Sequence, residues 1–254
     1  MLKPLLENGF ESDIFVRTPS PKAKCMLDKA VEFMANTKDL SHGIDHLNNL
    51  IKNAHSFFKA TGDKFNIDKE TFQLALYWHD VWKSQNKPTA GNYLFQQFYE
   101  GLGSMFMFKK YASAVCLSPR ITHAVSYAIR KHSAVQIRQA ETLEAQLLWD
   151  IDTLDVWNVQ RVQSLFKNLK WTNISIFDSY ILYMKNVGFH LNFGWTRNEV
   201  KRKKPLFLET MSQFRESLMN GNKKPETFFM QPKVMSSNLY SRSIHSLRDL
   251  GHKS

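Results

Sequence analysis

The chain has 254 residues, 43% apolar and 22% charged, which is enough apolar mass to bury a core and too much for a disordered polymer. No uncharged apolar run approaches the roughly 18 residues that cross a bilayer. The amino-terminal MLKPLLENGFESD meets Glu7 too early for a secretory signal, and Cys25 and Cys116 stand too far apart for a metal or redox pair. These features predict a cytoplasmic protein of a reducing compartment with no membrane partner.

Apolar residues recur at helical spacing almost throughout, and alternating β-branched runs are scarce, which predicts an all-α fold. Residues 1–21 read as an N-terminal arm. A first helix is expected from Lys22 to Met34, with Met26, Leu27, Ala30, Val31 and Met34 inward. Ser41 is the expected cap of a second, whose Leu47, Leu50, Ile51, Ala54 and Phe58 run to the Thr61-Gly62-Asp63 break. A third starts at Asp68 and continues through Phe72, Ala75, Leu76 and His79 to about Lys83, before Asn86-Lys87-Pro88. Tyr93–Tyr99, Met105–Ala114 and Ile121–His132 read as separate helices, followed by Ala140–Trp157, Val162–Leu169 and Ile174–Asn186. Lys201-Arg-Lys-Lys204 reads as a solvated loop ending at Pro205, and Phe207–Met219 as the last helix. Residues 22–219 thus make one helical-bundle domain.

Residues 220–254, with Gly-Asn, Lys-Pro and several serines, read as a basic, partly irregular tail. The net charge of +11 raises the question of nucleic acid. From Val200 to Ser254 there are eleven Lys/Arg against four Asp/Glu, whereas the preceding 199 residues hold 23 against 19. The excess belongs mostly to the C-terminal quarter, so nucleic-acid binding is not the favoured reading of the main domain.

The chemistry lies in ionisable residues that interrupt apolar stripes. Phe72, Ala75 and Leu76 lead to His79, so His79-Asp80 is delivered toward a hydrophobic interior, where unpaired charge is costly. His46 opens a stripe continued by Leu50, Ala54 and Phe58. Glu144, Leu148, Asp152 and Asp155 share one face of a later helix. Any one of these is more often a satisfied core histidine or a helix cap than a ligand. Together they are two imidazoles and two carboxylates on three helices, the way bundles assemble metal sites. Gly101-Leu-Gly103 has no strand before it and no third glycine, so it is not a dinucleotide fingerprint. His42 and His46 have zinc-protease spacing, but Gly43 stands where the glutamate would be.

In this order, His46, His79-Asp80 and Asp152 resemble the H…HD…D signature of the HD-domain superfamily of metal-dependent phosphohydrolases. Ser-His-Gly-Ile-Asp-His-Leu at 41–47 is similar to the His-Gly-x-Asp-His-Val segment of its small single-domain bacterial nucleotide phosphohydrolases. Trp-His-Asp-Val-Trp-Lys-Ser at 78–84 resembles their His-Asp-Ile-Gly-Lys-Ser, and Ile129-Arg-Lys-His132-Ser133 their Ile-x-x-His-Ser. Residues 141–155 resemble their Glu-x-x-Glu-Ala…Asp-Ala-Asp-x-Leu-Asp. The likeness covers about residues 25 to 215.

The resemblance implies His46, His79, Asp80 and Asp152, rather than Asp150, as ligands of one divalent ion. Imidazole and carboxylate together suit Mn, Fe, Co, Ni or Zn better than Mg. It implies cleavage of a phosphomonoester or phosphoanhydride of a nucleotide or other small phosphorylated metabolite by metal-activated water. Asp80 would orient that water. Lys83, one turn after His79, would neutralise phosphate, and His132 would contact phosphate or protonate the leaving oxygen. His42 would face the mouth of the site, and Glu144 and Asp155 would orient the ligands. Two further histidines would make a dinuclear site, but His123 and His132 fall half a turn apart, which favours His132 and one metal. Lys83 after the His-Asp pair departs from the guanosine-tetraphosphate hydrolases, which carry acids there, and the Gly-Tyr-Pro of the cyclic-dinucleotide branch is absent. Asn49, Trp82 and Ile151 replace the relatives' Arg, Gly and Ala, implying a narrower, more aromatic and less cationic pocket. Trp78, Trp82, Trp149 and Trp157 flank the motifs and are candidates for stacking a base or for the core. The alternative is a non-catalytic helical protein that binds nucleic acid or an acidic partner through its basic C-terminal region.

Overall fold

Ser20 accepts the Ala23 N–H and Pro21 occupies the first turn of α1 (Pro21–Ala35). A computed structural model describes residues 19–89, 92–132, 140–169, 174–186 and 190–219. The expected tail at 220–254, most of the arm at 1–21, and Ser133 lie outside the described residues. Among the described residues every regular element is helical, as expected of an all-α chain.

Helix α2 spans Ile44–Thr61 and ends at Gly62, whose φ of 57° is the left-handed conformation that favours glycine. Ser41 does not cap it. Ser41 sits in a single 3-10 turn, Leu40–His42, capped by Asp39, and Gly43 leads into α2 without a side-chain bond. Helix α3 (Lys69–Trp78) is capped by Asp68 and buried on nearly every side, because α1, α2, α5, α6 and α7 all pack against it. It stops at Trp78 instead of running on to Lys83. The His79 ring donates to the Leu76 carbonyl at 2.8 Å, the acceptor that the Asp80 N–H would use in a continuing helix. The chain re-enters a short α4, Val81–Ser84.

The two helices expected within 93–114 are one, α5 (Tyr93–Ala114), running through Gly101 and Gly103. Both glycines serve close packing. A Cβ on Gly103 would lie 2.3 Å from the Trp82 ring, and one on Gly101 would lie 3.1 Å from the carbonyl oxygens of Ile129 and Arg130. Ser118 caps α6 (Pro119–Lys131) and Thr142 caps α7 (Leu143–Asp155). Helices α8 (Val159–Leu169), α9 (Ile174–Asn186) and α10 (Gly194–Met219) follow. The boundary expected at Pro205 is not there: Lys201–Lys204 and Pro205 are helical. Pro205 is exposed, where solvent can serve the carbonyl left without its helical donor.

Two apolar cores result. The larger joins α1, α2, α3, α5, α6 and α7 around Phe57, Phe72, Trp78 and Phe108. The smaller joins Trp157, Val162, Phe177, Met184, Phe207 and Phe214 from α8, α9, α10 and the turn between α7 and α8. Asp150 ties them together. It accepts from the N–H groups of Asn192 and Phe193 and from Thr196 Oγ1, which anchors the start of α10.

Candidate metal centre

Four interior side chains meet where the cores adjoin. His46 comes from the first turn of α2, His79 from the end of α3, Asp80 from the start of α4 and Asp152 from α7. One ligand-type atom from each lies within 4.8 Å of all the others, and this is the one such group among the described residues. His46 Nε2 is 3.3 Å from His79 Nε2, 3.4 Å from Asp80 Oδ2 and 3.5 Å from Asp152 Oδ1. His79 Nε2 is 3.2 Å from Asp80 Oδ2.

Both rings are held from behind. His46 Nδ1 donates to Asp155 Oδ2 at 2.8 Å, and His79 Nδ1 donates to the Leu76 carbonyl. Carbonyl and carboxylate oxygens only accept, so both Nδ1 atoms carry hydrogen, and the Nε2 atoms that face each other and two carboxylates are the ones left to offer a lone pair to a cation. That donor set fits a cation of the N/O-binding transition metals. Burial lowers the His46 pKa, but hydrogen bonds to Asp155 and Asp80 outweigh it and the net shift is upward. Burial raises Asp80, yet His79 and His42, with His132 and His46, hold it well below the ordinary carboxylate range. Asp152 is likewise depressed, burial being outweighed by Arg161, His46 and His79.

His132 ends α6 with its Nδ1 bonded to the Ile129 carbonyl and its buried Nε2 3.5 Å from Asp80 Oδ1. Burial works against its charge, but Asp80 dominates and the pKa is raised to about 9. His123 lies on the exposed face of the same helix. His42 is buried with both nitrogens engaged. Nδ1 donates to Asp39 Oδ2 at 2.7 Å, and Nε2 accepts from Arg161 Nη2 at 3.2 Å. Burial and Lys83 lower its pKa. Lys83 is buried too, but its ammonium meets the carboxylate of Glu100, so its charge is offset within the protein.

Three residues of this network carried no signal that the sequence reading used. Asp39 orients His42 and binds Ser41 Oγ at 2.6 Å. Glu100 pairs with Lys83 across 17 positions. Arg161, on α8, donates to Asp152 Oδ1 at 2.9 Å and lies 3.7 Å from Asp155 Oδ2. Asp155 backs His46, whereas Glu144 is elsewhere: it accepts the Asp68 N–H at the start of α3 and touches no member of the cluster.

The chain matches no protein-family model, no curated protein and no solved structure.

A cleft of about 480 Å³ opens over the cluster. Its polar floor includes His42, Asp80, Lys83, His132, Asp152 and Arg161, and its walls include Phe98, Trp149, Val162, Tyr180, Tyr183 and Met184. Among the flanking tryptophans only Trp149 lines it. Trp78 and Trp157 belong to the cores, and Trp82 packs under Gly103, so Trp82 does not narrow the pocket. Ile151 is fully buried and Asn49 faces a separate polar hollow of about 420 Å³ beyond Arg161.

Proposed function

We propose that the chain is a divalent-metal-dependent phosphohydrolase of the HD type, acting on a small phosphorylated substrate such as a nucleotide. The observation that carries this reading is the convergence of two Nε2 lone pairs and two carboxylates, with both Nδ1 sides locked as donors. Charge supports it: Asp39, Asp80, Glu100, Asp152 and Asp155 are all buried or nearly so, against Lys83, Arg161 and a protonated His132. An excess of buried negative charge is costly without a cation.

His46, His79, Asp80 and Asp152 would hold the ion, with Mn, Fe, Co, Ni or Zn favoured over Mg by the two imidazoles. The ion would supply an acidified water and charge neutralisation at phosphate. Asp155 and the Leu76 carbonyl fix the two imidazoles before substrate arrives, and Arg161 does the same for Asp152. Asp80 presents Oδ2 to the cluster and Oδ1 to His132, so it can orient a water while His132 holds a proton at the cleft. A protonated His132 is suited to give that proton to the leaving oxygen. His42 acts chiefly by holding Arg161, and Lys83 with Glu100 forms a neutral pair in the floor.

The test is metal analysis of the purified chain together with phosphate release from p-nitrophenyl phosphate and a nucleotide panel. Expected are about one transition metal per chain, activity abolished by chelator and restored by manganese, and neither in Asp80→Ala. A folded chain that binds no metal and releases no phosphate under any of these conditions would overturn the reading and favour a non-catalytic, polyanion-binding protein.

A further inference from the structure

Helix α5 has a single acid, Glu100, and it is buried against Lys83. Its outer face is apolar: Phe95, Phe98, Leu102 and Phe106 follow one another at spacings of three and four, Tyr99 lies beside Phe98, and all five are 38% to 64% exposed. Exposed apolar side chains scattered singly are ordinary, but a stripe of five on successive turns of one helix is a surface built to be covered. The next positions on that stripe, one turn past Phe106, are Lys109 and Lys110, both exposed. On α9, Leu182 and Tyr183 are exposed as well, followed by exposed Lys185.

These two patches meet at the cleft. Phe98 from α5 and Tyr183 from α9 are surface residues and also line it. The apolar surface therefore continues inward along Tyr180, Met184, Val162 and Trp149 to the charged floor. A cleft of this kind is polar at one end and apolar from there to the outside.

We propose that this face seats on an anionic lipid surface, and that the cleft takes from it a phosphate monoester carried on an apolar tail. The second half rests on the phosphohydrolase reading above. The occupant follows from two observations. A protein partner on the stripe would cover Phe98 and with it the cleft mouth, whereas a bilayer covering the same residues delivers substrate there. Aromatic and leucine side chains flanked by lysines match an interface in which rings enter the acyl boundary and ammoniums meet headgroup phosphates. The sequence offered no membrane partner because it has no spanning segment. Among the described residues no helix is long and apolar enough to cross a membrane, which leaves lateral seating open. The reaction consumes one water: its oxygen bonds to phosphorus, the bond from phosphorus to the ester oxygen breaks, and that oxygen takes a proton, giving inorganic phosphate and the alcohol of the tail.

The test is flotation of the full chain with phosphatidylcholine vesicles with and without phosphatidylglycerol. Binding should require phosphatidylglycerol, weaken with salt and with Lys109→Glu/Lys110→Glu, and fall at least about tenfold in Phe95→Glu/Phe106→Glu, whose altered residues lie outside the cleft. That last variant should keep full manganese-dependent hydrolysis of soluble p-nitrophenyl phosphate while losing hydrolysis of phosphatidic acid in vesicles. Absence of vesicle binding, or binding that ignores the stripe substitutions, overturns the docking surface. So does light scattering that shows a dimer dispersed by Phe95→Glu/Phe106→Glu, which would assign the face to a second copy. If p-nitrophenyl phosphate is cleaved but phosphatidic acid is not, the tailed substrate is wrong and the phosphohydrolase reading stands. If neither is cleaved with any metal, that reading falls and the substrate half falls with it, while flotation still decides the surface.

Discussion

Asp155→Asn isolates the group behind His46. Asp155 is 1% exposed, its Oδ2 accepts His46 Nδ1–H at 2.8 Å, and its Oδ1 accepts Asn158 Nδ2 at 3.1 Å. Asparagine keeps the volume and removes the charge. If the amide oxygen faces His46, the ring keeps its tautomer but loses a charge-assisted bond, a difference of about 1 kcal/mol. If the amide nitrogen faces His46, Nδ1 must accept, the hydrogen moves to Nε2, and the lone pair needed for a cation is gone. Groups of this kind typically set metal affinity within about 10- to 100-fold, or roughly 1.4 to 2.8 kcal/mol. Manganese titration calorimetry on chelator-stripped, folded protein should therefore find Asp155→Asn weaker by about fivefold to 100-fold. Affinity within about twofold of the parent would refute the idea that Asp155 prepares His46 for a cation.

Asp150→Ala should behave oppositely to Asp155→Asn. It leaves the N–H groups of Asn192 and Phe193 without their acceptor and the Thr196 hydroxyl with only the Phe193 carbonyl, destabilising the fold by about 3 kcal/mol or more in urea, while the folded fraction keeps its manganese affinity. Loss of affinity at parental stability would make Asp150 a ligand. Gly103→Ala drives a methyl group to 2.3 Å from the Trp82 ring, and thermal unfolding should show a loss of about 1 to 3 kcal/mol; an unchanged melting temperature contradicts the packing described. Asp39 is pushed upward by burial, but the His42 ring and bonds from His42 and Ser41 outweigh this and lower its pKa from 3.8 to about 2. A depressed carboxylate stabilises the fold above its unfolded pKa and loses that contribution as pH falls through the folded value. The stability gap between parent and Asp39→Asn in urea should thus narrow by about 2 kcal/mol from pH 5 toward pH 2, and a gap that widens on acidification would sink this assignment.

His46, His79, Asp80 and Asp152 were legible because each breaks an apolar stripe, and period and polarity are both written in the chain. The break between α3 and α4 was not, since the apolar pattern runs on while the His79 side chain takes the Leu76 carbonyl. Gly101 and Gly103 read as a helix interruption at roughly 1 kcal/mol each in propensity, but their closeness to α6 and Trp82 is a tertiary contact that propensity does not contain. Pro205 is tolerated because that side of α10 faces solvent. Arg161 reaches Asp152 across the turn that separates α7 from α8, and helical phase is lost across such a turn. Lys83 illustrates the same limit: its inward direction was readable, but the Glu100 carboxylate that neutralises it comes from another helix.

The most direct test of the central claim is anomalous diffraction from crystals of the full chain grown with manganese. The account predicts one strong peak about 2 Å from His46 Nε2, His79 Nε2 and a carboxylate oxygen each of Asp80 and Asp152. A map with no peak there, or with the four side chains each bonded to protein neighbours and the ion elsewhere, would contradict it.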